Sequence, residues 1–183
     1  DTYGVFVDTQ NNVTVANCTF TDWNSGLYLN GANDSVGINN TAYSNEHGSK
    51  IFYGSGNTLI DNTAYLNDQD GIFISLTSGN FIIHNNLSKN QNGLRIWSAF
   101  GNLIDNNTAN DNTMTGIIVN FRVPWFSTNN NTIINNSVEN NSNGIWLGRA
   151  HNSTVKDNRA VKNTNSGISL FNSDNSTITN NLL

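Results

Sequence analysis

Residues 71–88 read GIFISLTSGNFIIHNNLS, and residues 93–110 read GLRIWSAFGNLIDNNTAN. Residues 144–161 (GIWLGRAHNSTVKDNRAV) and 167–183 (GISLFNSDNSTITNNLL) follow the same pattern. In each segment a Gly opens a run of alternating apolar residues, and an [apolar]-x-x-Asn-x-[apolar] motif follows. A period of about 22 residues with short strands is typical of a solenoid in which each strand pairs with its equivalent one coil later.

The repeat runs through the whole chain and predicts one all-β domain of about eight coils over residues 1–183. The predicted strand starts are Gly4, Gly26, Lys50, Gly71, Gly93, Gly116, Gly144 and Gly167. The longest step, from Gly116 to Gly144, predicts a loop insertion in coil six at about residues 121–128.

The motif Asn residues should form a ladder of stacked side-chain amides at one bend of the coil. Each amide can bond its neighbours in the coils above and below, which satisfies polar groups that are costly to bury alone. The predicted ladder consists of Asn40, Asn62, Asn85, Asn107, Asn136, Asn158 and Asn181. The chain has 39 Asn but only 3 Gln, which fits a role for Asn in bends that the longer amide cannot take.

Composition excludes several classes of protein. The formal net charge of −5 argues against a nucleic-acid partner, because a phosphate binder needs a basic stripe. A single Cys excludes a disulfide framework, and no apolar run is long enough to predict a membrane span. We expect no metal and no cofactor, since His47, His84 and His151 fall at different phases of the repeat.

Alternation along the Gly-led strands predicts a column of residues that face solvent. In coil three the strand start at Lys50 makes Ile51 and Tyr53 the inward pair. The outward column is then Phe6, Tyr28, Phe52, Phe73, Arg95, Ile118, Trp146 and Ser169, and five of its eight members are aromatic. An exposed stripe of rings predicts a contact surface for sugars or a partner, although the rings could also cover one another.

The insertion predicts a second part of the same surface. It should bring together a cationic, ring-lined corner composed of Arg95, Trp97, Arg122, Trp125, Trp146 and Arg149. Such a corner suits an anionic glycan or a neighbouring subunit, and a loop that folds back over a coil edge is the alternative. A glycosidase would need two carboxylates within about 5–9.5 Å, and Glu46, Asp68 and Asp70 are the candidates for them.

Units such as SGNFIIHNNLSKNQNGLRI (78–96) and NNNTIINNSVENNSNGIWL (129–147) resemble the parallel β-helix repeats of the NosD-like, pectate-lyase-like superfamily. These are also called carbohydrate-binding-and-sugar-hydrolysis repeats. The resemblance covers the whole chain and implies a right-handed parallel β-helix. It does not choose a function, because that superfamily contains polysaccharide lyases, hydrolases and epimerases as well as tailspikes and adhesins.

The resulting hypothesis is an extracellular structural or adhesive solenoid of a cell surface, sheath or filament that contacts polysaccharide. Eleven N-x-S/T sequons agree with an exported glycoprotein. Both ends are predicted to be uncapped, so that copies could assemble head to tail into a filament. The alternative is a polysaccharide-active enzyme, a glycoside hydrolase, lyase or epimerase, or the repeat domain of one.

Overall fold

The computed structural model describes residues 2–121 and 128–183. These residues form a right-handed parallel β-solenoid of eight coils, and no helix occurs within them. The fold prediction is therefore confirmed. Within the described ranges, no helix has the length and hydropathy needed to span a bilayer.

The longest strands form an eight-stranded parallel sheet, named here the front sheet, and each of its strands opens one coil. In order from coil 1 to coil 8 they are Tyr3–Asp8, Ser25–Asn30, His47–Phe52, Asp70–Ser75, Asn92–Trp97, Thr115–Asn120, Asn143–Gly148 and Ser166–Phe171. Neighbouring strands of a sheet lie about 4.8 Å apart, so a side chain recurs at that spacing along the solenoid.

Two further sheets complete each coil. The back sheet has eight three-residue strands: Thr14–Ala16, Val36–Ile38, Thr58–Ile60, Phe81–Ile83, Leu103–Asp105, Thr132–Ile134, Thr154–Lys156 and Thr177–Thr179. The side sheet contains Thr19–Thr21, Thr41–Tyr43 and Thr63–Tyr65, and single bridges continue it through the later coils. Inward side chains such as Ile72, Leu94 and Ile117 are fully buried between the sheets. Each such burial contributes roughly 1.5–3 kcal/mol.

Coil three differs from the sequence prediction. Gly48, not Lys50, stands beside Gly26 and Gly71, so Ser49 and Ile51 take the inward positions. A side chain at this place cannot fit, because a Cβ on Gly48 would lie 2.5 Å from the carbonyl oxygen of Gly71. Tyr53, predicted to face inward, is 61% exposed instead. The error arose because Ser49 stands where the other coils have an apolar residue.

A ladder of buried amides runs along the bend after the back strands. The Oδ1 of Asn62 accepts hydrogen bonds from the backbone N–H (3.0 Å) and the Nδ2 (3.1 Å) of Asn40. Its Nδ2 donates to the Gly37 carbonyl (2.9 Å) and to the Asn85 Oδ1 (3.0 Å). The same pairing of amides continues to Asn181.

The residue before each of these amides turns the chain. Asn39 (φ 52°), Asp61 (φ 54°) and Asn106 (φ 53°) all have left-handed backbones. Asn and Asp tolerate this conformation better than other residues with a Cβ. The frequent Asn-Asn pairs of the sequence therefore supply one residue for the turn and a second for the ladder.

Two more ladders stand at the other bends. One joins Asn45, Asn67, Asn90, Asn112, Asn141 and Asn163. The other, which the sequence did not predict, joins Asn57, Asn80, Asn102 and Asn131. The step from Asn102 to Asn131 crosses the insertion of coil six without a break in the ladder. Thr128 closes the base of that insertion, since its Oγ1 donates to the Asn120 carbonyl (3.1 Å).

Candidate functional site

The outward surface of the front sheet, named here the front face, carries three parallel columns of side chains. The first is Tyr3, Ser25, His47, Asp70, Asn92, Thr115, Asn143 and Ser166. The central column is Phe6, Tyr28, Lys50, Phe73, Arg95, Ile118, Trp146 and Ser169. The third is Asp8, Asn30, Phe52, Ser75, Trp97, Asn120, Gly148 and Phe171.

The aromatic surface differs from the predicted stripe. Lys50 holds the central position of coil three, and Phe52 lies beside it in the third column. Tyr28 and Phe73 point outward but are only 8% and 6% exposed, so the expectation that they are exposed is wrong. Their neighbours in adjacent coils cover them, which is the alternative that the sequence left open. Trp97 and Trp146 retain partial exposure.

A fully buried carboxylate links three coils at the centre of the front face. The Oδ1 of Asp70 accepts from the Nε of Arg95 (2.9 Å) and from the Asn92 Nδ2 (3.0 Å). The Nη2 of Arg95 lies 2.8 Å from the same oxygen. These contacts use Nε and Nη2, so Nη1 takes no part in the pair with Asp70. Asp70 therefore fixes the position of Arg95.

His47 contacts the other oxygen of that carboxylate. Its Nδ1 lies 3.1 Å from the Asp70 Oδ2, and neither atom has a hydrogen-bond partner among the residues that the structure describes. The imidazole stacks on the Phe73 ring, with a centroid distance of 5.3 Å and an interplanar angle of 21°. The sequence predicts no role for His47. Its alignment with Asp70 was hidden by the two-residue error in coil three.

Rings surround the cations of this surface. The Lys50 Nζ lies 4.7 Å from the centroid of the Tyr28 ring and within 6 Å of the Phe52 and Phe73 rings. The Arg95 guanidinium lies 4.7 Å from the centroid of the Trp97 ring. Cation–π attraction of this kind contributes about 0.5–2 kcal/mol and fixes the charged group over an apolar surface.

A groove of about 380 Å³ begins at Arg95 and extends toward coil 8. The Ile118 and Trp146 side chains line it along the central column, and Asn92 and Asn143 line it along the first. The groove opens where Ile118 stands between two larger side chains of the central column. It thus combines a cation, an indole ring and two amides, a combination that suits a sugar ring with a carboxylate.

The charges of the front face are unevenly distributed. The front segments of coils 5–8, residues 91–98, 114–121, 142–149 and 165–172, contain Arg95 and Arg149 but no Asp or Glu. The chain as a whole has 13 acidic and 8 basic residues. This part of the front face is therefore cationic on an otherwise anionic molecule.

The carboxylates proposed as a catalytic pair lie in different surroundings. Asp70 is buried against Arg95, whereas Asp68 is exposed in the preceding turn. Glu46 is half-buried and accepts hydrogen bonds from the Asn24 Nδ2 and from the Gln69 Nε2 (2.6 Å).

Among the described residues, no group of three His, Cys, Asp or Glu side chains is placed to hold a metal ion.

The predicted corner is brought together in part. Arg95 and Trp146 line the same groove, and Trp97 packs against Arg95. Arg149 contacts Phe121, with its guanidinium 4.7 Å from the centroid of the Phe121 ring, and does not line the groove. Arg122 and Trp125, the two members predicted from the insertion, lie outside the described residues.

Tyr28 provides a test of the geometry of the front face. Burial, with smaller contributions from Tyr3, Asp8 and Tyr53, raises its pKa from 10.0 to about 12. The neutral phenol is favoured in the folded state, so its contribution to stability is complete below pH 10 and is lost as the pH rises toward about 12. Ultraviolet titration of tyrosinate should show one high step that is missing in Tyr28→Phe. The same step in both proteins would contradict the burial of Tyr28.

The family of this solenoid follows from comparison with known proteins. A family model described as the right handed beta helix region matches residues 1–123 and 100–183, which together span the chain. The chain belongs to the right-handed β-helix family. No curated protein sequence matches it significantly.

Solved structures with this fold include polysaccharide epimerases. The periplasmic alginate epimerase AlgG is similar over 90% of this chain and 49% of its own, at 19% identity and a TM-score of 0.75. A point mutant of AlgG covers 82% of this chain and 35% of its own, at 22% identity and a TM-score of 0.75. The A-module of an Azotobacter vinelandii mannuronan C-5 epimerase covers 93% and 58%, at 19% identity and a TM-score of 0.73. The chain thus spans 35–58% of the length of these structures, and the likeness at such identities concerns the fold.

Proposed function

We propose that this chain binds a uronate-containing polysaccharide along its front face and belongs to an enzyme that modifies that polysaccharide. The observation that carries the proposal is the groove between Arg95 and Trp146, on the part of the front face that has no carboxylate. Trp146 can pack against the C–H face of a sugar, and Arg95 can bond its carboxylate. The Asn92 and Asn143 amides can bond the hydroxyls.

The comparisons support the enzymatic alternative more than the structural or adhesive role. The similar structures are described as alginate and mannuronan C-5 epimerases, whose substrates are acidic polysaccharides. One of them is described as periplasmic, which supports an exported location for this chain as well. Head-to-tail assembly into a filament has no comparable support and stays a prediction.

Two residues of the front face, Arg95 at the start of the groove and His47 two coils before it, can support proton exchange at C-5 of a uronate. The C-5 proton is acidified by the adjacent carboxylate when a cation neutralises its charge, and Arg95 is placed for that role. A base takes the proton, and its return to the same face after exchange with solvent replaces hydrogen by deuterium. Delivery of a proton from water on the opposite face would invert C-5, and in both cases only the C–H bond breaks and re-forms. His47 is the candidate base: its Nδ1 lies 3.1 Å from the Asp70 Oδ2, and its Nε2 lies 3.8 Å from the Glu46 Oε1.

Exchange in heavy water tests this function directly. The protein is incubated with a polyuronate in D₂O, and nuclear magnetic resonance measures deuterium at C-5 while calorimetry measures binding. We expect both binding and exchange in the unmodified chain. His47→Gln should lose most of the exchange but keep the binding, whereas Trp146→Ala should weaken the binding.

Each part of the proposal has its own contradicting result. No binding of any uronate polymer would overturn the whole proposal. Binding without exchange would overturn the enzymatic part and return the chain to an adhesive or binding role. Formation of an unsaturated product, followed by its ultraviolet absorbance, would identify a lyase instead of an epimerase. Circular dichroism of both variants checks that the solenoid is intact.

A further inference from the structure

Three cations, two on the front face and one directly after a front strand, share one arrangement. Lys50 lies over the Tyr28 ring, Arg95 over the Trp97 ring and Arg149 over the Phe121 ring. In each case the charged group is 4.7 Å from the ring centroid. A cation held against a ring keeps its charge but has less conformational freedom, and less of that freedom is therefore lost when it binds an anion.

The three cations are spaced by two coils. Lys50 belongs to coil 3, Arg95 to coil 5 and Arg149 to coil 7. At about 4.8 Å per coil, successive cations stand about 10 Å apart along the solenoid. Lys50 and Arg95 occupy the central column, and Arg149 follows the last residue of the front strand in its coil.

The coils between the cations are apolar in the central column. Phe73 holds that position in coil 4 and Ile118 holds it in coil 6. Charged and apolar side chains thus alternate along the central column, in the order Lys50, Phe73, Arg95 and Ile118. Asp70, the carboxylate of coil 4, is fully buried beside Arg95 and does not interrupt this surface.

We propose that the spacing of these cations selects a polysaccharide whose carboxylates recur at the same spacing. This inference rests on the proposed function. An extended sugar chain advances by about one sugar per coil along the front face. The cations then fit a polymer that turns one carboxylate toward the protein every second sugar, about 10 Å apart. The intervening sugars turn their carboxylates to solvent, and the one over coil 6 places its C–H face on Ile118, which lines the groove. An extended chain with two-fold screw symmetry has this geometry.

Binding of oligouronates of defined length tests the repeat. Calorimetry measures the affinity of oligomers from two to eight sugars, at low and high salt. Because only alternate carboxylates reach a cation, affinity should rise in steps of two sugars, and the steps should shrink as salt screens the charges. Each step is expected to be about 2- to 5-fold, as for a partly exposed ion pair.

Substitution of single cations, with a matched control, shows which of them cause the steps in affinity. Arg149→Gln and Lys50→Gln should each remove one of the two-sugar increases in affinity that the longer oligomers show. The affinity of the shortest oligomer should stay unchanged in both variants. Lys156→Gln makes the same change of charge on an exposed residue of the back sheet and should have no effect. Circular dichroism checks the fold of Lys50→Gln, and exposed Arg149 provides the second, independent site.

The outcomes separate this inference from the proposed function. An even gain in affinity with each added sugar would overturn the two-coil repeat, although polysaccharide binding would stand. Unchanged length dependence in both Arg149→Gln and Lys50→Gln would do the same. Absence of binding at every length would overturn the proposed function, and the repeat with it.

Discussion

Asn107→Ala is expected to lower the free energy of unfolding by about 2–4 kcal/mol. The Oδ1 of Asn107 accepts from the backbone N–H (2.9 Å) and the Nδ2 (3.0 Å) of Asn85. Its Nδ2 donates to the Ile82 carbonyl (2.8 Å) and to the Asn136 Oδ1 (3.0 Å). Alanine removes four hydrogen bonds at once, and each buried polar group left without a partner costs roughly 1–3 kcal/mol.

The adjacent residue supplies the control. Asn106 has the same side chain but is exposed, with a left-handed backbone (φ 53°) that glycine adopts readily. Asn106→Gly should therefore change the free energy of unfolding by less than about 0.5 kcal/mol. Denaturant unfolding followed by circular dichroism measures both variants. Equal effects of the two substitutions would show that the ladder contributes nothing beyond the turn itself.

These two residues also show what the sequence could predict. The period, the Gly-led strands and the ladder through Asn107 are visible because one residue type recurs at one phase. The ladder through Asn57 and Asn131 was missed because Ser35 and Ser153 take its place in other coils, which hides the column in the sequence. Stacking of amides across coils was predictable where the residue is invariant along the chain, and not where serine substitutes for it.

The candidate site was predicted less well, for a geometric reason. His47, Asp70 and Arg95 come from three coils, and their contacts depend on exact register between strands more than 20 residues apart. An error of two residues in coil three separated His47 from Asp70 and placed Phe52 where Lys50 stands. Burial of Tyr28 likewise comes from other coils, so alternation within one strand predicted its direction but not its exposure.

Asp70→Asn is the second substitution with a large expected effect, because it removes the counterion of Arg95. Asp70 is fully buried and the Arg95 side chain is 12% exposed, so the guanidinium would lose its charged partner away from bulk water. Loss of one partner of a buried pair costs roughly 3–5 kcal/mol, and the partial exposure of Arg95 places the expected loss at the lower end of that range. Asp68→Asn, an exposed neighbour with the same change of charge, should have little effect.

A double-mutant cycle tests whether Asp70 acts on polysaccharide binding through Arg95. Asp70→Asn and Arg95→Met each leave one buried charge unpaired, but the double variant leaves none, so its loss of stability should be smaller than the sum by about 1–3 kcal/mol. If Asp70 acts on binding through Arg95, polyuronate affinity should fall in both single variants, and adding Asp70→Asn to Arg95→Met should lower it no further. Additive losses of stability would contradict the pairing, and a further loss of affinity in the double variant would show that Asp70 acts on binding by a route other than Arg95.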